Sequence, residues 1–187
     1  WISYSRISKF GHKFNGDHTK TVVVFALNSV NGDSLEQVIK TKNDKSVYAN
    51  YLRDELMRIR DLAKMKYLYT FHFEGDKSFY AIEGGDPNSK DYSAMGSTAN
   101  WNEKDMININ GCINSKLITS SEISYNETYG WMVSSYAPIV NSKGKVIAVL
   151  GCDFDAEVLV NEIRNYRLII ILSGVILLLI ALFAIYL

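Results

Sequence analysis

The chain has 187 residues, with 20 Lys and Arg against 20 Asp and Glu, so its formal net charge is zero. Balanced charge leaves no basic surface for a nucleic-acid backbone, and a sequence that is 48% hydrophobic and rich in aromatic residues can bury a core, which argues against disorder. Two cysteines, Cys112 and Cys152, are too few for a disulfide scaffold. We expect two unpaired thiols rather than one bridge.

The average composition hides two unlike regions. Residues 168–187 contain no charged side chain, and only Ser173 and Gly174 among them fall outside the apolar set. All 40 charged residues therefore lie in the first 167, where they make up about 24%, the usual charged fraction of a soluble domain. The sequence predicts one soluble domain joined to a membrane segment.

The first segment of the chain, residues 1–16, has the composition of a membrane interface. It begins with Trp1, and its aromatic residues are followed by Arg6 and Lys9. We expect a juxtamembrane segment that follows an upstream transmembrane helix. The alternative is that no transmembrane helix precedes this segment.

Helical periodicity dominates the next fifty residues. Residues 17–30 are ambiguous, because 21–25 favour a strand by propensity whereas apolar residues at steps of three and four also fit one face of a helix. Asp33, with Glu36 three residues later, predicts the capped start of a short helix. Apolar residues at helical spacing then predict a longer helix over about 46–64.

The apolar period changes to two after this helix, which predicts a β-hairpin with strands over 67–73 and 78–82. From 83 to about 111 the chain is rich in Gly, Asp, Ser and Asn and has no strong period. A segment of this length with Trp101 embedded in it favours a packed functional loop, with a short helix near 103–107.

A second hairpin is predicted from strands over 131–139 and 145–153, joined by a turn at 141–144. The sequence from Val146 to Leu150 is apolar on both faces of a strand, which is typical of a strand in the centre of a sheet.

The C-terminal part of the chain reads as one helix. Asp155 predicts an N-cap, and the helix that follows divides into an exit helix over 156–167 and a transmembrane helix over 168–187. Twenty residues at about 1.5 Å each reach roughly 30 Å, the thickness of the hydrocarbon core of a bilayer. The alternative is a buried helix of a larger domain, which an uncharged run of this length disfavours.

Two segments carry a family resemblance. They are GWMVSSYAPI at 130–139 and SKGKVIAVLGCD at 142–153, and the Gly- and Asp-containing segment 84–96 adds to it. Together they resemble the single Cache domain, a PAS-like extracytoplasmic sensor domain of bacterial chemoreceptors, histidine kinases and cyclic-di-GMP enzymes. The resemblance implies an α/β (α+β) fold over 17–155, in which a long N-terminal helix packs on one face of an antiparallel sheet and the ligand pocket lies on the other. It also favours a helix for 17–30.

Aromatic side chains are the best signal of a binding site, because flat rings can enclose a small ligand while their polar tips orient it. Asp153 at a strand end is suited to a cation, and Arg58 is suited to a carboxylate. The candidate ligand-binding residues are Arg58, Tyr69, Phe71, Tyr80, Trp101, Trp131, Ser134, Tyr136 and Asp153. Alternation along a strand prevents both faces of a sheet from supplying one pocket, so these nine residues do not all line it.

No catalytic, metal or cofactor site is predicted. The three histidines, His12, His18 and His72, are too scattered for a zinc signature, and the sequence has no nucleophile-elbow or phosphate-loop motif. A membrane-anchored enzyme would need clustered acids of shifted pKa or a nucleophile–base pair, and the sequence pattern indicates neither.

We therefore expect the sensor domain of a bacterial transmembrane receptor that binds an amino acid, a carboxylate or an amine. The expected location is the cell membrane, with residues 1–167 extracytoplasmic, a homodimeric state, no nucleic-acid partner, and any catalytic output beyond residue 187. The alternative is a ligand-free interaction or dimerisation module, in which Trp101 or Trp131 would fill the pocket.

Overall fold

The computed structural model describes residues 16–186. The predicted juxtamembrane segment 1–16 therefore lies outside the described residues, except for Gly16. Residues 16–27 are helical and form α1, which confirms the helix that the family resemblance favoured over a strand.

Two further helices precede the sheet, α2 (Gly32–Thr41) and α3 (Val47–Ala63). The predicted capping residue of α2 was wrong: the N-cap is Asn31, whose side chain accepts a hydrogen bond from the Ser34 amide. Asp33 instead accepts hydrogen bonds from the amide and the hydroxyl of Ser142, in the turn of the second hairpin. The start of α3 follows the prediction, since the Ser46 side chain caps it.

Seven strands form one curled sheet in which every described pairing is antiparallel. The strands are β1 (Tyr67–Glu74), β2 (Lys77–Glu83), β3 (Thr98–Ala99), β4 (Thr119–Ser120), β5 (Ser124–Asn126), β6 (Gly130–Val140) and β7 (Val146–Asp155). Their order is β3-β2-β1-β7-β6-β4, and β5 also pairs with β6. Both predicted hairpins are confirmed, and β7 is an inner strand, as its apolar sequence indicated.

The predicted long loop is shorter than expected. A thirteen-residue helix, α4 (Glu103–Ser115), replaces its second half, where the sequence indicated a helix over 103–107 at most. The pairing of β3 with β2 removes two more residues from the loop. The irregular part of the segment is thus confined to residues 84–97 and 100–102.

The sheet separates two cores. On one face, α1, α2 and α3 pack against the sheet through aliphatic side chains that include Val23, Leu52 and Leu150. On the other face, α4 and the preceding loop cover a cluster of aromatic residues. Both cysteines are buried and free, and they belong to different cores, Cys152 to the aliphatic one and Cys112 to the aromatic one.

The last helix, α5 (Glu157–Tyr186), begins two residues after β7 ends. As predicted, Asp155 caps it: its Oδ1 accepts a hydrogen bond of 2.8 Å from the Glu157 amide. Thirty residues of helix are about 45 Å long. The most apolar 18-residue window of Glu157–Ile185 has a mean hydropathy of 3.3, and none of that window is buried, so by length and composition this helix could cross a membrane.

Candidate ligand-binding site

The aromatic core lies on the sheet face that α4 covers. Tyr69 and Phe71 come from β1, Tyr80 from β2 and Tyr136 from β6, and all four are at least nine-tenths buried. Alternate residues of a strand share a face, so the spacing of two between Tyr69 and Phe71 places both rings in this core. The aliphatic side chains of the same strands point to the opposite face.

Gly151 of β7 lies between two tyrosines. It is directly opposite Tyr69 on β1 and directly opposite Tyr136 on β6. A Cβ atom at this position would lie 2.6 Å from the Tyr69 ring. The absence of a side chain therefore lets Tyr69 lie across β7.

Asp153, two residues further along the same face of β7, is the central polar group. It is 4% exposed and lies directly opposite Ser134 and Tyr67 in the sheet. The side chains of Ser134 and Tyr69 lower the pKa of its carboxyl group, yet its Oδ1 has no hydrogen-bond partner. Burial has the larger effect and raises the pKa of Asp153 to about 7.

A second carboxylate, Asp105, reaches the aromatic core from α4. Asp105, Ile109 and Cys112 are the buried residues of this helix, and their spacing of four and three places them on one face. Burial raises the pKa of this carboxyl group, Tyr136 lowers it to a smaller extent, and Asp105 Oδ1 has no hydrogen-bond partner. Asp105 was not among the predicted site residues, because the helix predicted near 103–107 was too short to reveal the buried face that it shares with Ile109 and Cys112.

Trp101 packs over the aromatic core. Its ring stacks on Tyr69 at a centroid distance of 6.1 Å and lies 4.5 Å from Phe71 and 6.2 Å from Tyr136. Its indole N–H donates a hydrogen bond of 2.8 Å to the hydroxyl of Ser78 on β2. The ring is only partly buried, so it lies at the outer side of the aromatic core.

The loop over 84–97 is attached to the sheet by a buried acid. Glu83, at the end of β2, accepts a hydrogen bond of 2.5 Å from the Ser93 amide, and burial raises its pKa. Arg53 of α3 holds the same loop, because its Nε donates to the hydroxyl of Tyr92 at 3.2 Å. The loop is therefore tied at two points and covers the edge of the site.

Lys66 connects the site to the exit helix. Its charge lowers the pKa of Asp153, and its ammonium group donates to the Tyr129 carbonyl at 2.8 Å. The same ammonium forms an ion pair of 3.2 Å with Asp155, whose side chain accepts a hydrogen bond from the first amide of α5. Lys66 therefore acts electrostatically on both Asp153 and Asp155.

The structure brings seven of the nine predicted site residues together. They are Tyr69, Phe71, Tyr80, Trp101, Ser134, Tyr136 and Asp153. Trp131 lies elsewhere: it is five residues from Tyr136 on the same strand, so it faces the other way and packs with Val133, Ala156 and the start of α5. Arg58 also lies elsewhere, on the exposed side of α3, where it pairs with Glu55 at 2.6 Å.

No protein-family model and no curated protein matches the chain. Several solved structures are similar to it. The sensory domain of the Campylobacter jejuni chemoreceptor Tlp3 matches with a TM-score of 0.43 and 17% identity, over 86% of this chain and 66% of that one. A further structure of the Tlp3 ligand-binding domain is of its complex with L-valine.

Two further sensor domains, one of them from a histidine kinase, are similar as well. The V. cholerae DctB sensor domain matches with a TM-score of 0.49 and 12% identity, over 83% of this chain and 58% of that one. The E. coli DcuS sensor domain matches with a TM-score of 0.48 and 10% identity, over 79% of this chain and 98% of that one. All three are sensor domains. The chain spans less than two thirds of the length of the Tlp3 and DctB domains.

Proposed function

We propose that residues 17–155 form a Cache-like sensor domain that binds a small metabolite through an ammonium group. The observation that carries the proposal is Asp153: a buried carboxylate with an unpartnered Oδ1, beside tyrosine rings. A buried ionised group without a partner costs free energy, and an ammonium group would supply both the charge and the hydrogen bond that Asp153 lacks. The faces of Tyr69 and Tyr136 add attraction for a cation.

The charges around the site favour an amine over a carboxylate. The charge of Asp105 raises the pKa of Asp153. The charges of Asp91 and Glu83 raise the pKa of Tyr67, and Asp91 also raises the pKa of Glu83. The nearest cation acting on Asp153 is held by Tyr129 and Asp155, so it is not directed at a ligand. An anionic ligand would therefore meet repulsion, whereas the ammonium group of an amine or an amino acid would be attracted.

Binding requires Trp101 to move. Its ring occupies the space over Tyr69, Phe71 and Tyr136, and one hydrogen bond to Ser78 holds it. A ligand that reaches Asp153 through the aromatic core must displace this ring. Trp101 is thus the natural reporter of binding, since its fluorescence depends on its surroundings.

The proposed signal passes from Asp153 to α5. An ammonium ligand favours the ionised form of Asp153, which strengthens its attraction for Lys66 and competes with the ion pair between Lys66 and Asp155. Since Asp155 caps α5, a displacement of about 1–2 Å at this point would move the helix as a rigid body. In this proposal α5 crosses the cell membrane, residues 1–167 are extracytoplasmic, and the receptor is a homodimer.

The test is a thermal-shift and calorimetry screen of the full chain in detergent, with alkylamines, carboxylates and amino acids including L-valine. Amines are expected to raise the melting temperature and Asp153→Asn to abolish the effect, with Asp76→Asn, in the exposed turn after β1, as matched control. Recovery of the amine unchanged supports a sensor, whereas turnover would indicate an enzyme that uses these acids. Stabilisation by carboxylates alone would contradict the proposed charge preference.

A ligand-free interaction module is the second candidate, and the position of Trp101 favours it. The sequence predicted that such a module would have its pocket filled by Trp101 or Trp131, and Trp101 does lie over the aromatic core. The two candidates differ in what the buried acids do. The interaction module is the better description if two results are obtained together. No compound binds to the wild-type chain, and the full chain still self-associates when Asp153 and Asp105 are both replaced by Asn.

A further inference from the structure

The aromatic core is bounded by a carboxylate on each side. Asp153 approaches from β7 and is 4% exposed, whereas Asp105 approaches from α4 and is 6% exposed. Each has one buried oxygen, Oδ1, without a hydrogen-bond partner. Buried polar atoms nearly always have a partner in folded proteins, so two unpartnered oxygens at one site indicate groups that a ligand completes.

The two carboxylates have matching surroundings. Tyr69 lowers the pKa of Asp153 and Tyr136 lowers the pKa of Asp105, so one tyrosine side chain lies beside each carboxylate. The two tyrosines flank Gly151 from neighbouring strands, and Trp101 lies near both, with centroid distances of 6.1 Å and 6.2 Å. Neighbouring aromatic rings are therefore associated with both carboxylates.

The charge balance of this site is negative. The charge of Asp105 raises the pKa of Asp153, so the two groups repel each other when both are ionised. The cation that acts on Asp153 is Lys66, and it is engaged by Tyr129 and Asp155. A ligand with one ammonium group would satisfy one carboxylate and leave the other unpaired. An amino acid would also bring its own carboxylate toward the second acid.

We infer that the site takes a linear diamine, with one ammonium group on Asp153, the other on Asp105, and the methylene chain beside the rings of Tyr69 and Tyr136. This inference rests on the proposed function, because it assumes that Asp153 binds an ammonium group. It adds Asp105 as a residue that determines specificity. The methylene chain contacts the aromatic faces, and each ammonium group completes one carboxylate.

Asp105 also lies in the first turn of α4, where a negative charge stabilises a helix. A purely structural role would make the Asp105→Asn variant less stable and weaken every ligand equally. A specificity role weakens the diamine and leaves the monoamine unchanged. The comparison of two ligands on one variant therefore separates the two roles.

The experiment is calorimetry on the full chain in detergent with three probes that share a five-carbon chain. The first is the diamine with an amino group at each end, the second is pentylamine, and the third is the amino acid with an amino group at one end and a carboxyl group at the other. We expect the diamine to bind about tenfold more tightly than pentylamine, the scale of one charge-assisted hydrogen bond, and the amino acid to bind more weakly than pentylamine. Asp105→Asn should remove the advantage of the diamine and change the affinity for pentylamine less than about twofold. Asp153→Asn should remove the binding of both.

Each other outcome is decisive. Equal affinities of the wild-type chain for the diamine and pentylamine, with pentylamine lost in Asp153→Asn, overturn the diamine inference and leave the proposed function standing. Equal weakening of both ligands by Asp105→Asn assigns that residue a structural role and also overturns the inference. Absence of binding by all three probes overturns the proposed function itself. The comparison on the wild-type chain needs no variant, so it holds even if a substitution prevents folding.

Discussion

The two faces of the sheet differ in their side chains, although the same strands supply both. On the helix face, the buried Thr70 hydroxyl is satisfied within the fold: it donates to the Ile82 carbonyl and accepts from the Ile82 amide. On the aromatic face, Asp153 and Asp105 each keep an unpartnered oxygen. The first face is built for stability, whereas the second gives up stability to keep binding groups available.

The largest expected effect is on the helix face. Leu52 of α3 is fully buried in the aliphatic core, so Leu52→Ala removes packed atoms and leaves a cavity. We expect the free energy of unfolding to fall by about 3 kcal/mol in urea denaturation. The matched control is Leu62→Ala on the same helix, where the side chain is 72% exposed and the loss should be within about 0.5 kcal/mol. Similar losses for both variants would contradict the assigned core.

On the aromatic face, removing a charge should stabilise the protein. The pKa of Asp153 is raised from 3.8 to about 7, so the folded state holds a proton more tightly than the unfolded state. The contribution of Asp153 to stability is therefore fully present below pH 4 and is lost as the pH rises through 7. At pH 8, Asp153→Asn should raise the free energy of unfolding by about 2 kcal/mol. This is less than the full shift in the pKa of Asp153 implies, because water can partly solvate a buried charge.

At pH 4 the same variant should differ little from the wild-type chain, because Asp153 is then neutral. The measurement is denaturant unfolding at both pH values, with Asp76→Asn as the exposed control. A destabilised Asp153→Asn variant at pH 8 would show that the carboxylate has a structural partner, and the contrast between the faces would fail.

Much of this contrast was visible in the sequence. The period of two in β1 and the apolar sequence of β7 predicted the strands, and alternation alone would have excluded Trp131, since five residues separate it from Tyr136 on β6. The helix α4 was underestimated because its Asn and Gly residues are poor helix formers, and the buried contacts of Ile109 and Cys112 stabilise it instead. The position of Gly151 beside Tyr69 depends on pairing between distant strands, which no local pattern encodes.

Ligand binding should depend on pH in the direction opposite to stability. An ammonium group binds the ionised form of Asp153, whose pKa of about 7 makes that form scarce at pH 6 and predominant at pH 8. The affinity for pentylamine should therefore increase roughly tenfold between these pH values, since the amine itself stays protonated. Calorimetry at several pH values measures this. An affinity that is constant with pH would mean that Asp153 is already ionised in the free protein.

The smallest expected effect concerns the ring that covers the site. Trp101→Phe keeps an aromatic ring but loses the indole N–H that donates to Ser78. The ring is then held less firmly, and its displacement by a ligand costs less free energy. The affinity for pentylamine should rise about threefold, while the free energy of unfolding falls by about 1 kcal/mol. Trp131→Phe is the matched control, because Trp131 packs in the separate cluster at the start of α5 and should leave the affinity unchanged. A weaker affinity in Trp101→Phe would mean that the indole contacts the bound ligand rather than competing with it, and the aromatic face would then be a site formed by Trp101 rather than one closed by it.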